Sequence, residues 1–357
     1  MPIKRRAFVA ATTAVALAAP AVARAQQSVR LTVIAGHPPV FLWVKLIDEL
    51  FIPEVDKRLA ASGSKVRIEW TKAYGGTLAK LGTELEAIRD GIADLGIVSS
   101  VFQAPQLPLQ NVTYVAPFGS GDIATVTSVV EKLQQTIPAM GAAWTRNKQA
   151  FLGSSALDDY HLFTTFPVAS IDDLKGRKIM APGPSANWIN GTGAVAVAAT
   201  LPEYYNNLKT GVAEGVLTFV TGAAPIKLWE VAGHLTRTSF GAQYGGGLTM
   251  AQAKLGALPP EAQQIFRDVG KEYSVAFGNA QTERAVSGLK TMEAAGLKVA
   301  DLAPAERVRW ARAIPNVAKK WAEDLESRKL PGKTVLKGYM DGLKAAGVQV
   351  PRDWSAE

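Results

Sequence analysis

The stretch that decides the fold is Ile171 to Phe219, IDDLKGRKIMAPGPSANWINGTGAVAVAATLPEYYNNLKTGVAEGVLTF. Ile171, Asp172 and Asp173 open a short helical turn that Gly176 ends, because glycine takes the left-handed C′ geometry without a Cβ clash. Arg177 to Ala181 then reads as a strand, stopped by Pro182, Gly183 and Pro184. The Ala- and Val-rich run from Ala186 to Ala199 suits a buried helix. PEYYNNLKTG predicts a second helix, with Pro202 and Glu203 in its first turn and Gly211 as its stop. Val216 to Val220 is an apolar strand. The order strand, helix, helix, strand gathers the loops after the strands at one end of a sheet, where open α/β sheets bind ligands. Met180 with the loop behind it, and Thr218 with Phe219, therefore become crevice residues.

Upstream, VRLTVI (Val29 to Ile34) reads as a first strand broken by Gly36, His37, Pro38 and Pro39. Phe41 to Leu59 carries apolar residues at helical spacing and closes on Ser62 and Gly63. KVRIEWT (Lys65 to Thr71) alternates as a second strand, so strand, helix, strand implies parallel pairing through a right-handed crossover. Gly75 and Gly76 form a loop, Leu78 to Arg89 a helix stopped by Gly91, and Ala93 to Ser99 a buried strand. Ser99 and Ser100 sit at that strand's carboxyl end, where they can donate to a ligand or simply bond nearby loop backbone. The three prolines between Gln103 and Phe118 suggest an extended segment crossing the surface. Ile123 to Arg146 is helical with a break near Pro138, and Ala150 to Ser154 is a short strand. DDYHLFTT (Asp158 to Thr165) alternates Tyr160, Leu162 and Thr164 against His161, Phe163 and Thr165, and is the entry into a second domain.

Downstream, Ala224 to Gly233 is predicted helical, and Leu235 to Leu248 a strand and loop whose glycine run, 245–247, suits a hinge or tight turn. From Leu258, LPPEAQQIFRDVGKEYSVAFGNAQTERAVSGLKTMEAAG keeps helical spacing for more than about thirty residues, long enough to lie across two domains. The remaining C-terminal residues are helical and charged, with Trp310, Trp321 and Trp354 as packing residues.

At 357 residues the chain exceeds one ordinary core, and two domains of roughly 150 residues each are expected. Residues 1–25 have the pattern of a signal peptide: basic Lys4, Arg5 and Arg6, an apolar Ala7 to Ala19, and an Ala23-Arg24-Ala25 cleavage site before Gln26. Sec and twin-arginine export both fit. The chain has no cysteine, which removes a disulfide framework, a lipoprotein anchor and a thiolate nucleophile together. Loss of residues 1–25 lowers the formal charge from +8 to +4, without a basic run interleaved with aromatics, so nucleic acid is not the expected partner.

No catalytic template is present: GxSxG and GxxxxGK[ST] are absent, and no GxGxxG opens a helix after the first strand. His37, His161 and His234 are too far apart for HxxxH or HExxH metal spacing, so neither metal nor cofactor is expected. His37 follows the first strand and His161 lies on the entry strand, which makes both candidate ligand contacts as well as candidate structural histidines. His234 ends a predicted helix, where a positive charge would suit the dipole.

Four blocks carry a resemblance: AYGGTLAKLGTELEAIRDGIADLGIVSS, FTTFPVASIDDLKGRKI, LPEYYNNLKTGVAEG, and LWEVAGHLTRTSF followed by KLGALPPEAQQIF. Together they resemble the solute-binding subunits of TRAP (tripartite ATP-independent) transporters, the DctP-like family, over essentially the whole mature chain. The resemblance implies an α/β, two-lobed periplasmic binding protein fold of the TRAP solute-receptor type, with a long helix spanning both lobes and ligand trapped between them. Lobe I is expected from 26–157 with about 244–283, and lobe II from 158–243 with about 284–357. The implied partners are a small organic acid and the transporter's membrane permease subunits, for a periplasmic monomer that is not an enzyme. A ligand-sensing partner of a membrane receptor, or a periplasmic enzyme, is the alternative.

The resemblance also exposes a departure. Relatives that bind organic acids hold the carboxylate with an arginine after DLKG, in the pattern KIR, and Met180 stands there. A second arginine of sialic-acid-binding relatives aligns with Tyr160, their asparagine after the turn with Thr218, and a glutamate with Ser99. A buried carboxylate without a charged partner costs several kcal/mol, and a charge-assisted hydrogen bond returns roughly 1.5–3 kcal/mol. An acid would therefore need another donor: Arg177, Lys72, Lys80, His37, His161, or the hydroxyls of Tyr160, Ser99 and Ser100. Met180, Trp188, Leu201, Phe163 and Phe219 add apolar surface worth roughly 1.5–3 kcal/mol each when buried. Three or four such contacts reach the ~8 kcal/mol of micromolar binding, net of ordering costs. The expected ligand is accordingly less polar than succinate or sialate, an aromatic or branched carboxylate.

Overall fold

Two runs of β-branched residues, VRLTVI and VRIEWT, pair in parallel as β1 (Gln27–Ile34) and β2 (Val66–Ala73), with Leu31 opposite Trp70. The computed structural model describes residues 27–356, so the signal peptide expected at 1–25 lies outside the described residues. Nine further strands follow among these residues: β3 (Leu95–Ser99), β4 (Gln149–Leu157), β5 (Tyr160–Thr164), β6 (Lys178–Ala181), β7 (Val195–Ala198), β8 (Gly215–Phe219), β9 (His234–Arg237), β10 (Gln243–Ala251) and β11 (Lys298–Asp301). They form two sheets, ordered β2-β1-β3-β10-β4 and β11-β9-β5-β8-β6-β7. β10 runs antiparallel between β3 and β4. In the second sheet β5 is antiparallel to both β8 and β9, and β6 is parallel to β7 and β8.

The chain passes from the first sheet to the second through Asp158 and Asp159, and returns between β9 and β10. The two crossings lie side by side: the Phe240 amide donates to the Tyr160 carbonyl at 3.0 Å, and the Tyr160 amide donates to the Gly241 carbonyl at 3.2 Å. A third connection is the 35-residue helix Pro260–Ala294, about 52 Å long at 1.5 Å per residue. Its buried residues Ala262, Phe266, Val269, Gly270, Tyr273, Phe277 and Gln281 keep one face on the protein. It packs on β4 and, further along, on the short helix Val220–Ala223 behind β8. At the β4 crossing, a Cβ on Gly153 would stand 2.2 Å from the Gly270 carbonyl oxygen. Only two glycines allow this approach.

Beneath these crossings, buried Asp158 accepts from the amide (3.2 Å) and hydroxyl (2.5 Å) of Thr221 and from Gln281 Nε2 at 3.1 Å. The interlobe link, the segment after β8 and the long helix are thereby joined. Burial pushes the Asp158 carboxyl up to about 7.

Several sequence expectations are corrected. Ala186–Ala199 is not a buried helix but a 3₁₀ segment, Gly183–Ile189, followed by the edge strand β7. Gly191 and Gly193, at φ +83° and +78°, end the helical geometry, and the β-branched Val195 and Val197 favour pairing with β6. The helix expected from Leu78 starts only at Glu84, after left-handed Gly82. Ala224–Gly233 holds one 3₁₀ turn, Leu228–Glu230, because Lys227 sits at φ +52°. The glycine run at 245–247 is strand, not hinge: Cβ atoms on Gly246 and Gly247 would lie 2.1 and 2.0 Å from the carbonyl oxygens of Val98 and Gly153. His234 opens β9 rather than ending a helix.

The segment after Gln103 does not cross the surface. Leu107 to Ala116 is buried, made possible by side-chain amides that satisfy loop carbonyls: Asn111 donates to Ser100 and Leu107, and Gln110 to Met140. At the C-terminus, helix Pro304–Ala313 docks on the second sheet's side through Arg309 to Asp172 at 2.7 Å. The last helix, Gly332–Ala345, expected with lobe II, packs on helix Ile123–Thr136 of the first-sheet side. Its Gly338 and Gly342 admit Leu133 and Val129, and Trp354 donates to the Pro117 carbonyl at 2.7 Å.

Candidate ligand-binding site

The carboxyl ends of β1, β3, β4 and β8 converge on a cavity of about 40 Å³, counted as the space open to the centres of water molecules. One water needs roughly 10–15 Å³ of such space, so the cavity has room for about three waters. From the first-sheet side come His37 after β1, Trp43 from the helix Leu42–Leu46, Ile97 and Ser99 of β3, and Val101 and Phe102 of the turn behind it. Tyr114, Ser155, Leu157 and Gly245 complete that wall. The facing wall consists of Tyr160, Pro182, Leu201, Tyr204 and Phe219. Among the described residues, no Lys, Arg, Asp or Glu lines the cavity.

Aromatic contacts join the two halves. Trp43 and Phe219 approach with centroids 6.3 Å apart, and Tyr114 and Tyr160 with centroids 6.2 Å apart. The Tyr114 and Tyr160 hydroxyls stand 3.5 Å apart. Burial raises both phenols above their ordinary range, so both stay neutral.

His37 and Trp43 are the polar exceptions. Each is only 5 % exposed, and His37 Nε2 and Trp43 Nε1 are buried without a hydrogen-bond partner. Burial lowers the His37 pKa to about 4, so the imidazole is neutral at pH 7. The loop that carries it is set by Glu84, whose carboxylate accepts the amides of Gly36 (3.0 Å) and Gly82 (2.7 Å). A Cβ on Gly36 would lie 2.3 Å from Glu84 Oε1, so only glycine fits beside it. Burial outweighs those two bonds and pushes Glu84 up to about 7. Trp43 is stacked on Phe41 at 4.9 Å, and its carbonyl accepts from Tyr273 of the long helix at 2.7 Å.

Of the residues predicted from sequence, His37, Ser99, Tyr160, Leu201 and Phe219 line the cavity. Ser100, His161, Phe163, Met180, Trp188 and Thr218 do not. Ser100 bonds the Tyr244 carbonyl. His161 and Thr218 are register partners, as are Tyr160 and Phe219; with period-two alternation the first pair turns away from the face of the second. Phe163 and Met180 both pair with Val216 and share that averted face. Met180 is fully buried, with Asn207 Nδ2 at 3.6 Å from its sulfur. His161 instead accepts the Ser239 amide at Nδ1, 3.3 Å away. Trp188 backs the wall, its indole bonded to the Tyr114 carbonyl at 2.7 Å. Among the cationic alternatives, Arg177 pairs with Glu214 at 2.6 Å and Lys72 with Asp48 at 2.8 Å, and Lys80 is exposed; none reaches the cavity.

The DctP family model, described as bacterial extracellular solute-binding protein family 7, matches residues 54–324. The chain belongs to this family. As a family 7 receptor it is 24% identical over 272 residues to a solute-binding protein of Albidiferax ferrireducens, covering 73% of this chain and 75% of that one. A solute-binding protein from a marine metagenome, crystallised with 3-hydroxybenzoate, superposes with a TM-score of 0.77 at 18% identity, over 89% of this chain and 98% of the other. One from Rhodoferax ferrireducens, with copurified benzoate, gives 0.77 at 19% over the same shares. DctP7 of Bordetella pertussis, which binds pyroglutamic acid, gives 0.75 at 18%, over 87% and 99%. The family and its structural neighbours are extracytoplasmic solute receptors of TRAP transporters, not enzymes.

These structural neighbours share the overall two-lobed fold with this chain. Sequence reasoning missed Trp43, Tyr114, Ser155 and Tyr204. Trp43 and Tyr204 each lie in the first turn of a helix that begins at the crevice, which is the signal that would have found them.

Proposed function

We propose that the protein is the periplasmic receptor that captures a small, weakly polar carboxylic acid, aromatic or branched, for TRAP-type uptake. The observation that carries this is the cavity wall: aromatic and aliphatic side chains, five hydroxyls and two ring nitrogens, without one formal charge. A dicarboxylate would bury its second charge against Ile97, Val101 or Leu157 at a cost of several kcal/mol. The benzoate and 3-hydroxybenzoate held by two structural neighbours are ligands of the proposed kind.

In this proposal residues 1–25 direct export and are removed before Gln26. The mature monomer shuts on its solute, because contacts from both walls favour only the closed state, and delivers it to the membrane permease subunits. Isothermal titration with benzoate, 3-hydroxybenzoate, phenylacetate and isovalerate, against succinate and malate, tests this. Micromolar binding confined to the monocarboxylates is expected; binding of succinate with none of the monocarboxylates overturns it.

A further inference from the structure

We infer that His37 and Trp43 together form the specificity-determining polar pole of the cavity, an uncharged pair that takes the ligand's oxygen atoms in place of a cation. This assignment rests on the small-acid ligand proposed above and names the groups that grip it.

Both side chains line the cavity, both are about nineteen-twentieths buried, and both carry a ring nitrogen without a partner. An indole N–H can only donate. Trp43 is therefore satisfied only by an acceptor, whereas Ser99, Ser155 and Tyr204 carry hydroxyls that can donate or accept. Protein interiors seldom leave such a donor orphaned, and an acceptor brought by the ligand completes it. A neutral imidazole offers either a donor or an acceptor at Nε2, so His37 can take a second carboxylate oxygen or the hydroxyl of a hydroxy acid.

The pair is preorganised. The rings stand 5.2 Å apart and 84° to each other, both against Phe41, at 5.3 Å for His37 and 4.9 Å for Trp43. Glu84 holds the backbone before His37, and Tyr273 holds the Trp43 carbonyl. Neither nitrogen has to break a protein bond before it binds, so its hydrogen bond to ligand is a net gain. Phe219, whose ring lies 6.3 Å from Trp43, and Leu201 continue the wall as apolar surface, and the lining holds no charged group for a second carboxylate. The pair selects acids with one anionic group and an apolar body.

The test uses the mature protein with benzoate as probe. Trp43→Phe keeps the ring and removes the N–H; His37→Phe removes both ring nitrogens, and His37→Gln restores a polar atom at the same distance. Benzoate affinity should fall roughly ten- to a hundredfold in Trp43→Phe and His37→Phe, recover in part in His37→Gln, and the melting temperature without ligand should not fall in Trp43→Phe. A purely packing role predicts the reverse, a lower melting temperature with unchanged affinity. Benzoate binding within twofold of wild type in both phenylalanine variants overturns the assignment and leaves the small-acid function standing. Failure of wild type to bind any monocarboxylate overturns that function, and the assignment with it.

Discussion

Trp188 donates its indole N–H to the main-chain carbonyl of Tyr114 at 2.7 Å, across the seam between the two sheets. Trp310 in turn donates to the Trp188 carbonyl at 2.7 Å, so a C-terminal helix, the segment after β6 and the buried loop of the first-sheet side are tied in series. A motion that separates the two sheets at this seam would break the first of these bonds, which involves protein atoms alone.

Trp188→Phe should therefore open the unliganded protein. The lost bond is worth about 0.5–1.5 kcal/mol, which lowers ligand affinity up to about tenfold through the smaller closed population. Small-angle scattering without ligand should give a larger radius of gyration than wild type, and saturating ligand should restore it.

Glu84→Gln tests how the His37 loop is held. Gln presents one acceptor and one donor to two amide donors, so one of the Gly36 and Gly82 bonds is replaced by a repulsive contact. A loss of about 1–3 kcal/mol in urea unfolding is expected, together with weaker ligand binding.

Asp158 rises from its ordinary 3.8, and Glu84 from 4.5, to about 7 in the folded state. Each contributes stability that is fully present below its unfolded value and is lost as pH rises towards about 7. His37 falls from 6.5 to about 4, so its contribution is present above 6.5 and is lost as pH falls towards 4. The opposing terms overlap between about 4 and 6.5, and above 6.5 only the acids remain. Unfolding free energy should decline between pH 6.5 and 7.5, and Asp158→Asn should make that decline shallower.

Gly153→Ala places a methyl group against the Gly270 carbonyl, with backbone on both sides of the contact. Overpacking costs about 1–3 kcal/mol even where side chains can shift, and here they cannot help. Calorimetry should show at least that loss, and a further Gly270→Ala change should be non-additive because both act on one crossing.

Arg177→Ala, by contrast, should leave ligand affinity within about twofold. The guanidinium lies over Phe166 at 4.3 Å and pairs with Glu214, outside the cavity, and exposed pairs contribute little. Titration with benzoate distinguishes this outcome from an arginine clamp.

The frame was legible in sequence because its signals are local. Alternation in KVRIEWT, glycine stops at Gly63, Gly91, Gly176 and Gly211, and unbroken helical spacing from Pro260 each report on their own neighbourhood. The cavity was only partly legible because it depends on strand phase. Tyr160 and His161 are adjacent on an alternating strand with both faces buried, and composition does not say which face meets the ligand. Once Tyr160 faces Phe219, the register removes His161, Phe163, Thr218 and Met180 together. The buried run from Leu107 was hidden for another reason: its prolines look like surface turns, and the amides of Gln110 and Asn111 that make burial affordable act on distant carbonyls.

The uncharged wall also bears on where such a receptor can work. Contacts between neutral dipoles and a ligand sealed from solvent are scarcely screened by dissolved ions, so the escape rate of the guest should be the same in dilute buffer and at the salinity of sea water. Ionic strength can then alter only how often solute and receptor meet.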